Sequence, residues 1–201
     1  MHKKIYQEFE RICKERQVKG KVLEIGATPD DESLLCLDAL ENATEKIGLN
    51  IIGPYTYKDF TILQGNANNM DCFVDNTFDA VLCNAVLEHD KFFWKTISEI
   101  YRVTKKGGVI VIGTPGYTRY HSEKKVKKFL NKIPPIKKLK DHKYLNGIFT
   151  ATLTYEIHNA PGDYYRFSPQ TYKEVFLQGC DDIKIQSVML PPRIIGSGIK
   201  K

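Results

Sequence analysis

Apolar positions recur along this chain in two periods. In MHKKIYQEFERICKERQ, Ile5, Phe9 and Ile12 fall at helical spacing with charges between them, which predicts an amphipathic N-terminal helix. From Lys21 the pattern changes. Val22, Leu23 and Ile25 are β-branched or aliphatic and Gly26 ends the run, as expected of a buried parallel strand reaching the ligand-facing edge of an open sheet. Further on, the chain predicts a helix over about 31–41, a strand over 46–51, a Pro-Tyr-rich loop, strands over 60–63 and 78–83, a helix over 91–104 and a strand over 108–113. FDAVLC at 78–83 is nearly all apolar, which suits a strand covered on both faces. Lys105-Lys106-Gly107-Gly108 reads as a helix C-terminus closed by cations and glycine.

The rhythm breaks between Gly113 and about Pro161. This long insertion holds a Lys-rich helix (Glu123 to Asn131), a Pro134-Pro135 stop and a second basic stretch, and an insertion of this length in a compact domain is usually functional, often a lid. Ser168-Pro169-Gln170 then opens a helix to about Gln178, with Ser as N-cap and Pro at the first position. Asp182 to Leu190 alternates as a strand, and Pro191-Pro192 turns the chain toward Arg193–Lys201, which can return beside it.

Composition narrows the class. The chain has 201 residues, 42% hydrophobic and 27% charged, which suits one domain, 1–201, with a sizeable core. The N-terminal segment has no apolar core of the kind a secretion signal or membrane span needs. Five cysteines, odd in number and without a C-x-x-C pair, point to reduced thiols in a cytoplasmic protein rather than to a metal site or disulfide framework. The net charge of +6 is concentrated: Arg119 to Lys143 holds ten Lys/Arg against two acids, which leaves the remainder at −2. Such a run is a solvated face, a collar for an acidic acceptor or an anionic membrane surface, or a nucleic-acid contact; the last is disfavoured by the few stackable aromatics within it.

The loop after Gly26 lacks the glycines of a dinucleotide fingerprint, since Thr28 and Asp31 stand where they would be. Asp30, Asp31 and Glu32 place three carboxylates at the predicted helix start, where they would repel a pyrophosphate and favour a cationic ligand without phosphate, such as a sulfonium carrying an amino group.

VLEIGATPD, Asn50 at the end of the second strand, GNANNMDCFVDNTFDAVLCNAVLEHD and ISEIYRVTKKGGVIVIGTPG together resemble the class I S-adenosylmethionine-dependent methyltransferases of the small, stand-alone kind, in register over roughly residues 19–115. HNAPGDYYRFSPQTYKEVF and PPRIIGSGIK look like the C-terminal halves of members linked to bacterial surface-polysaccharide biosynthesis. The resemblance implies an α/β fold: a Rossmann-like three-layer sandwich with a mostly parallel seven-stranded sheet, an antiparallel edge pair, an N-terminal helix and a basic insertion or lid, about 116–162, after the fifth strand.

It also implies a site for S-adenosylmethionine. Glu24 and Gly26, Ala27 and Thr28 would border its methionine part, Asn50 would take the place of the acid that grips the ribose, Asn66 with Ala67 would lie beside the adenine, and Asn84 would sit under the sulfonium. Asn50 lacks the charge assistance of an acid, so donor binding weaker by on the order of tenfold is expected, and the same asparagine can instead satisfy a turn.

For the chemistry, His89 at the mouth of the fourth parallel strand is the candidate base, with Glu88 beside it; a helix-buttressing histidine and a structural acid are the alternatives. His158, Asp163, Tyr164, Tyr165 and Arg166 can line an acceptor pocket for a small or glycan-type, acidic acceptor, or form a rigid turn. Two other functions stay open: a degenerate methyltransferase-fold binding protein and a nucleotide-cofactor oxidoreductase.

Overall fold

In a computed structural model, residues 1–118, 153–154, 162–189 and 191–201 are described. The Lys-rich helix, the Pro134-Pro135 stop, the second basic stretch and His158 lie outside the described residues.

The N-terminal helix α1 (Lys3–Glu15) buries Ile5, Phe9, Ile12 and Cys13 along one stripe. The strands follow as β1 (Gly20–Ile25), β2 (Ala43–Asn50), β3 (Tyr55–Tyr57), β4 (Phe60–Gln64) and β5 (Phe78–Asn84). Then come α2 (Phe93–Val103), β6 (Thr104–Pro115), and a small pair, β7 (Tyr117–Thr118) with β8 (Leu153–Thr154). A helical turn α3 (Pro169–Thr171) continues as a π-turn over Tyr172–Phe176, and β9 (Cys180–Ser187) and β10 (Arg193–Lys200) end the chain.

The main sheet has the order β3-β4-β2-β1-β5-β6-β10-β9. Its centre, β4 to β6, is parallel, while β10 runs antiparallel to both β6 and β9. The sheet therefore has eight strands rather than seven. The additional one is β3, which folds back antiparallel on β4 as Tyr55 pairs with Ile62 and Tyr57 with Phe60. Both faces are covered, which completes the three-layer sandwich. Leu23, Val81 and Ile110 face Ile97, Ile100 and Phe176 on one side, whereas Val22, Leu82 and Val111 face Phe9, Ile12 and Leu34 on the other.

Three local expectations change. No helix forms over 31–41; two short 3-10 turns, Leu34–Cys36 and Asp38–Leu40, stand there instead, separated by the extended Leu37. Leu34, Leu35, Leu37 and Leu40 are all buried, a spacing that one regular helix cannot aim at a single face. The Glu24 carboxylate also competes for this backbone by accepting hydrogen bonds from Leu34 and Leu35 N–H, at 3.1 and 3.3 Å, and from the Ser33 hydroxyl.

The Lys105–Gly108 stretch is the irregular start of β6, with Lys105 held 2.8 Å from Asp79, and is not a helix cap. The end of α2 is closed from afar by Lys200, whose ammonium donates to the carbonyls of Tyr101 and Thr104. The helix expected from Pro169 to Gln178 keeps its Ser168 cap but passes into the π-turn, which buries Tyr172 and Phe176 together.

Removal of the Glu24 carboxylate takes the acceptor from the buried Leu34 N–H and Ser33 hydroxyl, while Leu35 N–H keeps its bond to Ser33 Oγ. Glu24→Ala is expected to lower the unfolding free energy by about 2–4 kcal/mol, measured by urea titration.

Candidate functional site

From β1 the chain passes outward to β2 and β4 and then returns to β5 and β6 on the other flank, so the direction of winding reverses between β1 and β5. In open α/β sheets a crevice forms at the carboxyl ends of the two strands at such a reversal. Gly26 stands there with φ +83°, and a Cβ on it would lie 2.4 Å from Val86 Cγ2, so only glycine allows this approach. Across from it Ala85 also has positive φ, +57°, a strained conformation for alanine of the sort that collects at functional sites.

Two chambers meet at these residues. The larger, about 460 Å3, is lined by Gly26, Leu49, Asn50, Asn66, Ala67, Asn68, Val86, His89, Asp90, Phe92 and Tyr164 among others. The smaller, about 250 Å3, is lined by Glu24, Thr28, Asn84 and Arg193 with Met1, His2, Ile5 and Glu32; Gly26 and Ala85 belong to both.

Most of the expected donor residues therefore line one or other of two chambers that share Gly26 and Ala85. Asn50, Asn66 and Ala67 lie in the large chamber, Glu24, Thr28 and Asn84 in the small one, and Gly26 at their junction. Ala27 lines neither; it is fully buried under β2, where a Cβ on Gly48 would meet its methyl at 2.6 Å.

The asparagines also carry structural work. Asn50 Nδ2 donates to the Ala27 carbonyl at 2.8 Å while its Oδ1 accepts from Ile52 N–H at 3.1 Å, so it binds the cofactor loop to the end of β2. Asn66 Oδ1 accepts from Asn68 N–H. Asn84 Nδ2 lies 3.5 Å from Met1 Sδ.

No helix begins at Asp30, so Asp30, Asp31 and Glu32 do not stand at a helix start as expected. Asp31 pairs with Lys58, and Asp30 accepts from Glu32 N–H and the Thr28 hydroxyl.

On the opposite wall, His89 lines the large chamber, whereas Glu88 is wholly buried behind it and lines neither chamber. The Glu88 carbonyl accepts from Tyr164 and Tyr165 N–H, at 2.8 and 3.2 Å, and the Tyr165 hydroxyl donates to the Lys91 carbonyl. These bonds stitch the 163–166 segment across the 88–91 turn. Of the expected acceptor residues that are described, only Tyr164 reaches the chamber. Tyr165 packs edge-on against Phe93 at 5.1 Å, and Arg166 is held by the buried Asp163 carboxylate at 2.7 Å. Asp163, Tyr165 and Arg166 thus form the rigid turn rather than the pocket wall.

Residues 22–112 match the model of a family described as Methyltransferase domain. Over that segment, just under half of the chain, the sequence is similar to methyltransferase domains.

A curated relative, demethylmenaquinone methyltransferase of Symbiobacterium thermophilum, is 35% identical over 88 residues, which is 43% of this chain; the chain spans 34% of that protein's length. Among solved structures, the 1,6-didemethyltoxoflavin-N1-methyltransferase of Burkholderia thailandensis superposes with TM-score 0.62 at 11% identity, covering 98% of this chain and 78% of the other. A SAM-dependent methyltransferase of Thermotoga maritima does so with TM-score 0.57 at 16% identity, covering 98% and 89%. At these identities the structures share the fold.

Several residues that line or support the chambers carried no signal, or only a weak one, in the sequence. Asp90 and Asn68 form a closed network with Thr96, with bonds of 2.7–2.8 Å, that ties the loop after β4 to the start of α2. The signal for Asp90 was its place directly after His89. Arg193 carried no local signal, because only the antiparallel return of β10 brings it to this edge.

Burial also sets the acid–base character of the site. Desolvation pushes the carboxyl of Glu24 up to about 7, against its hydrogen bonds from Ser33, Leu34 and Leu35. Glu88 rises to about 7 for the same reason, with Arg193 and Arg166 opposing. Both carboxyls hold their proton more tightly in the folded chain than at their ordinary value of 4.5. This contribution to stability is full below about 4.5 and is lost as pH rises through about 7. The melting temperature is therefore expected to fall between about pH 4.5 and 7 by differential scanning calorimetry, and Glu88→Gln to fall less steeply than wild type over that window.

Proposed function

We propose that this chain is a methyltransferase that binds S-adenosylmethionine across the two chambers and methylates a small acceptor. One observation carries the reading: the paired chambers straddle Gly26 at the winding reversal, inside the segment that matches the methyltransferase domain. The fit is favourable. The large chamber falls in the range of about 300–1,000 Å3 usual for small-ligand sites, and Gly26 and Ala85 line both chambers.

Bound there, the donor supplies a methyl group already activated on sulfur. What remains for the protein is to orient the two reactants and exclude water. Leu49, Val86 and Phe92 offer apolar walls, and the Asn50 and Asn66 amides keep the loop ends in place. His89 is the base that takes the acceptor's proton.

We take the acceptor to be small or glycan-type and acidic, in keeping with Lys91 over the Tyr164 ring at 5.8 Å and Lys95 over Phe92 at 5.2 Å beside the chamber. The link to polysaccharide biosynthesis and the cytoplasmic setting belong to the same proposal, as does contact of the Lys-rich segment with an anionic membrane. No helix among the described residues is long and apolar enough to cross a membrane. The degenerate binding protein is the second reading, favoured by the engagement of Asn50 and Asn66 within the protein itself.

Isothermal titration calorimetry is expected to show binding of S-adenosylhomocysteine and none of NAD; the reverse pattern would sink the proposal. With label in the donor methyl group, an acidic acceptor panel yields a labelled product, and His89→Ala lowers kcat by about 10²–10⁴-fold. Donor binding with no product from the full panel favours the second reading.

Asn50→Asp separates the two tasks of this position. An aspartate removes the donor to the Ala27 carbonyl and sets two acceptors against each other, so S-adenosylhomocysteine affinity is expected to be no tighter than wild type.

A further inference from the structure

Exposed apolar side chains gather around the large chamber. Among the described residues, Ile51, Ile52, Phe92, Trp94 and Tyr164 all face solvent, from 46% exposed for Phe92 to 71% for Ile51. Ile51, Phe92 and Tyr164 line the chamber while exposed, so they stand at its mouth, and Ile52 and Trp94 lie next to them along the chain. Apolar side chains scattered singly over a surface need no explanation, but a group of them around one opening marks a docking surface.

The stretch Lys91-Phe92-Phe93-Trp94-Lys95 presents this surface rigidly. Phe93, the first residue of α2, turns inward and packs edge-on against Tyr165, Phe167 and Phe176 at 5.1, 5.2 and 5.9 Å. With Phe93 fixed, Phe92 and Trp94 are left outside, edge-on to each other at 5.7 Å. Exposed Lys95 lies over the Phe92 ring and exposed Lys91 over the Tyr164 ring. These lysines do not serve the helix. The first turn of α2 holds no acid and Phe92 supplies no side-chain cap, so cations stand at the positive end of the dipole, where they lower helix stability.

Aromatic rings flanked by lysines are the chemistry of a membrane–water boundary. Indole and phenol rings rest at headgroup level, aliphatic side chains reach toward the acyl chains, and lysines extend to the lipid phosphates. Each lysine close to an anionic surface adds to the attraction. Asp90, the acid of this segment, turns its carboxylate inward to Asn68 and Thr96.

We propose that the rim formed by Ile51, Ile52, Tyr164 and the 91–95 stretch docks the protein on an anionic bilayer, with the mouth of the large chamber toward the lipid headgroups. The inference deepens the proposed membrane contact, which otherwise rests on the Lys-rich segment alone.

Trp94 is the single tryptophan of the chain, so its fluorescence reports on this surface alone. With vesicles of equimolar phosphatidylcholine and phosphatidylserine, its emission is expected to shift to the blue and to be quenched when the phosphatidylcholine carries brominated acyl chains. In cosedimentation with these vesicles, Ile52→Ser combined with Trp94→Ala weakens binding by about tenfold, and Lys95→Glu by about 10–30-fold at low salt. The double variant keeps the wild-type melting temperature, because both side chains are exposed.

If wild type binds the vesicles but its Trp94 emission is neither shifted nor quenched, the inference is overturned and the contact falls to the Lys-rich segment. Equal vesicle binding by wild type and the double variant overturns it as well. Wild type that stays off the vesicles sinks the membrane reading as a whole; a dimer seen by light scattering and dissolved in the double variant would then give the rim to a second copy of the chain.

Discussion

The position of β1 between β2 and β5 is the constraint on which this molecule depends. Leu23 is in register with Ile47 on one side and Val81 on the other, so both flanks of the sheet are built against one six-residue strand. Because the chain winds outward through β2 and β4 before it returns to β5, the ends of β1 and β5 open beside each other without a connecting loop to fill the gap. Gly26 and Ala85 mark that gap, both with positive φ. The crevice is a consequence of strand order, and the residues that line it need only be of suitable size and polarity.

Buried acids tie the periphery to this centre. Glu24, the fifth residue of β1, turns its carboxyl away from water and takes up the backbone of the Leu34–Cys36 turn, which replaces a full helix with a short apolar plug over α1. Glu88 plays a similar part at the end of β5, where its carbonyl anchors the 163–166 segment and its carboxyl faces Arg193. Desolvation raises the proton affinity of both, so the scaffold of the site and its electrostatics share the same groups.

The site was legible in the sequence to unequal depth. Gly26 could be found because it ends an apolar strand, whereas Asn50 and Asn66 were reached through the resemblance to methyltransferases; all three line the large chamber. The acceptor wall was not legible. Asp163, Tyr165 and Arg166 are the residue types of a sugar or anion pocket, but the same types close a turn when Asp163 and Arg166 are three residues apart and the acid is buried. Arg193 presents the opposite case, a residue with no local pattern that a long-range strand pairing carries to the chamber.

By itself the sequence determined the parallel core, β1, β2, β4, β5 and β6, and the amphipathic α1, because runs of apolar residues at strand and helix periods have few other ways to leave water. It also determined the sheet edge at which the chambers lie. Only the tertiary structure decided that Leu34–Leu40 would forgo a helix, that β3 would add an eighth strand, and that Arg193 would line the small chamber. Each of these was a contest between a local preference and a distant partner: the Glu24 carboxyl, the edge of β4 and the Glu88 pocket. Local sequence does not name those partners, since they are brought near only once the sheet has closed.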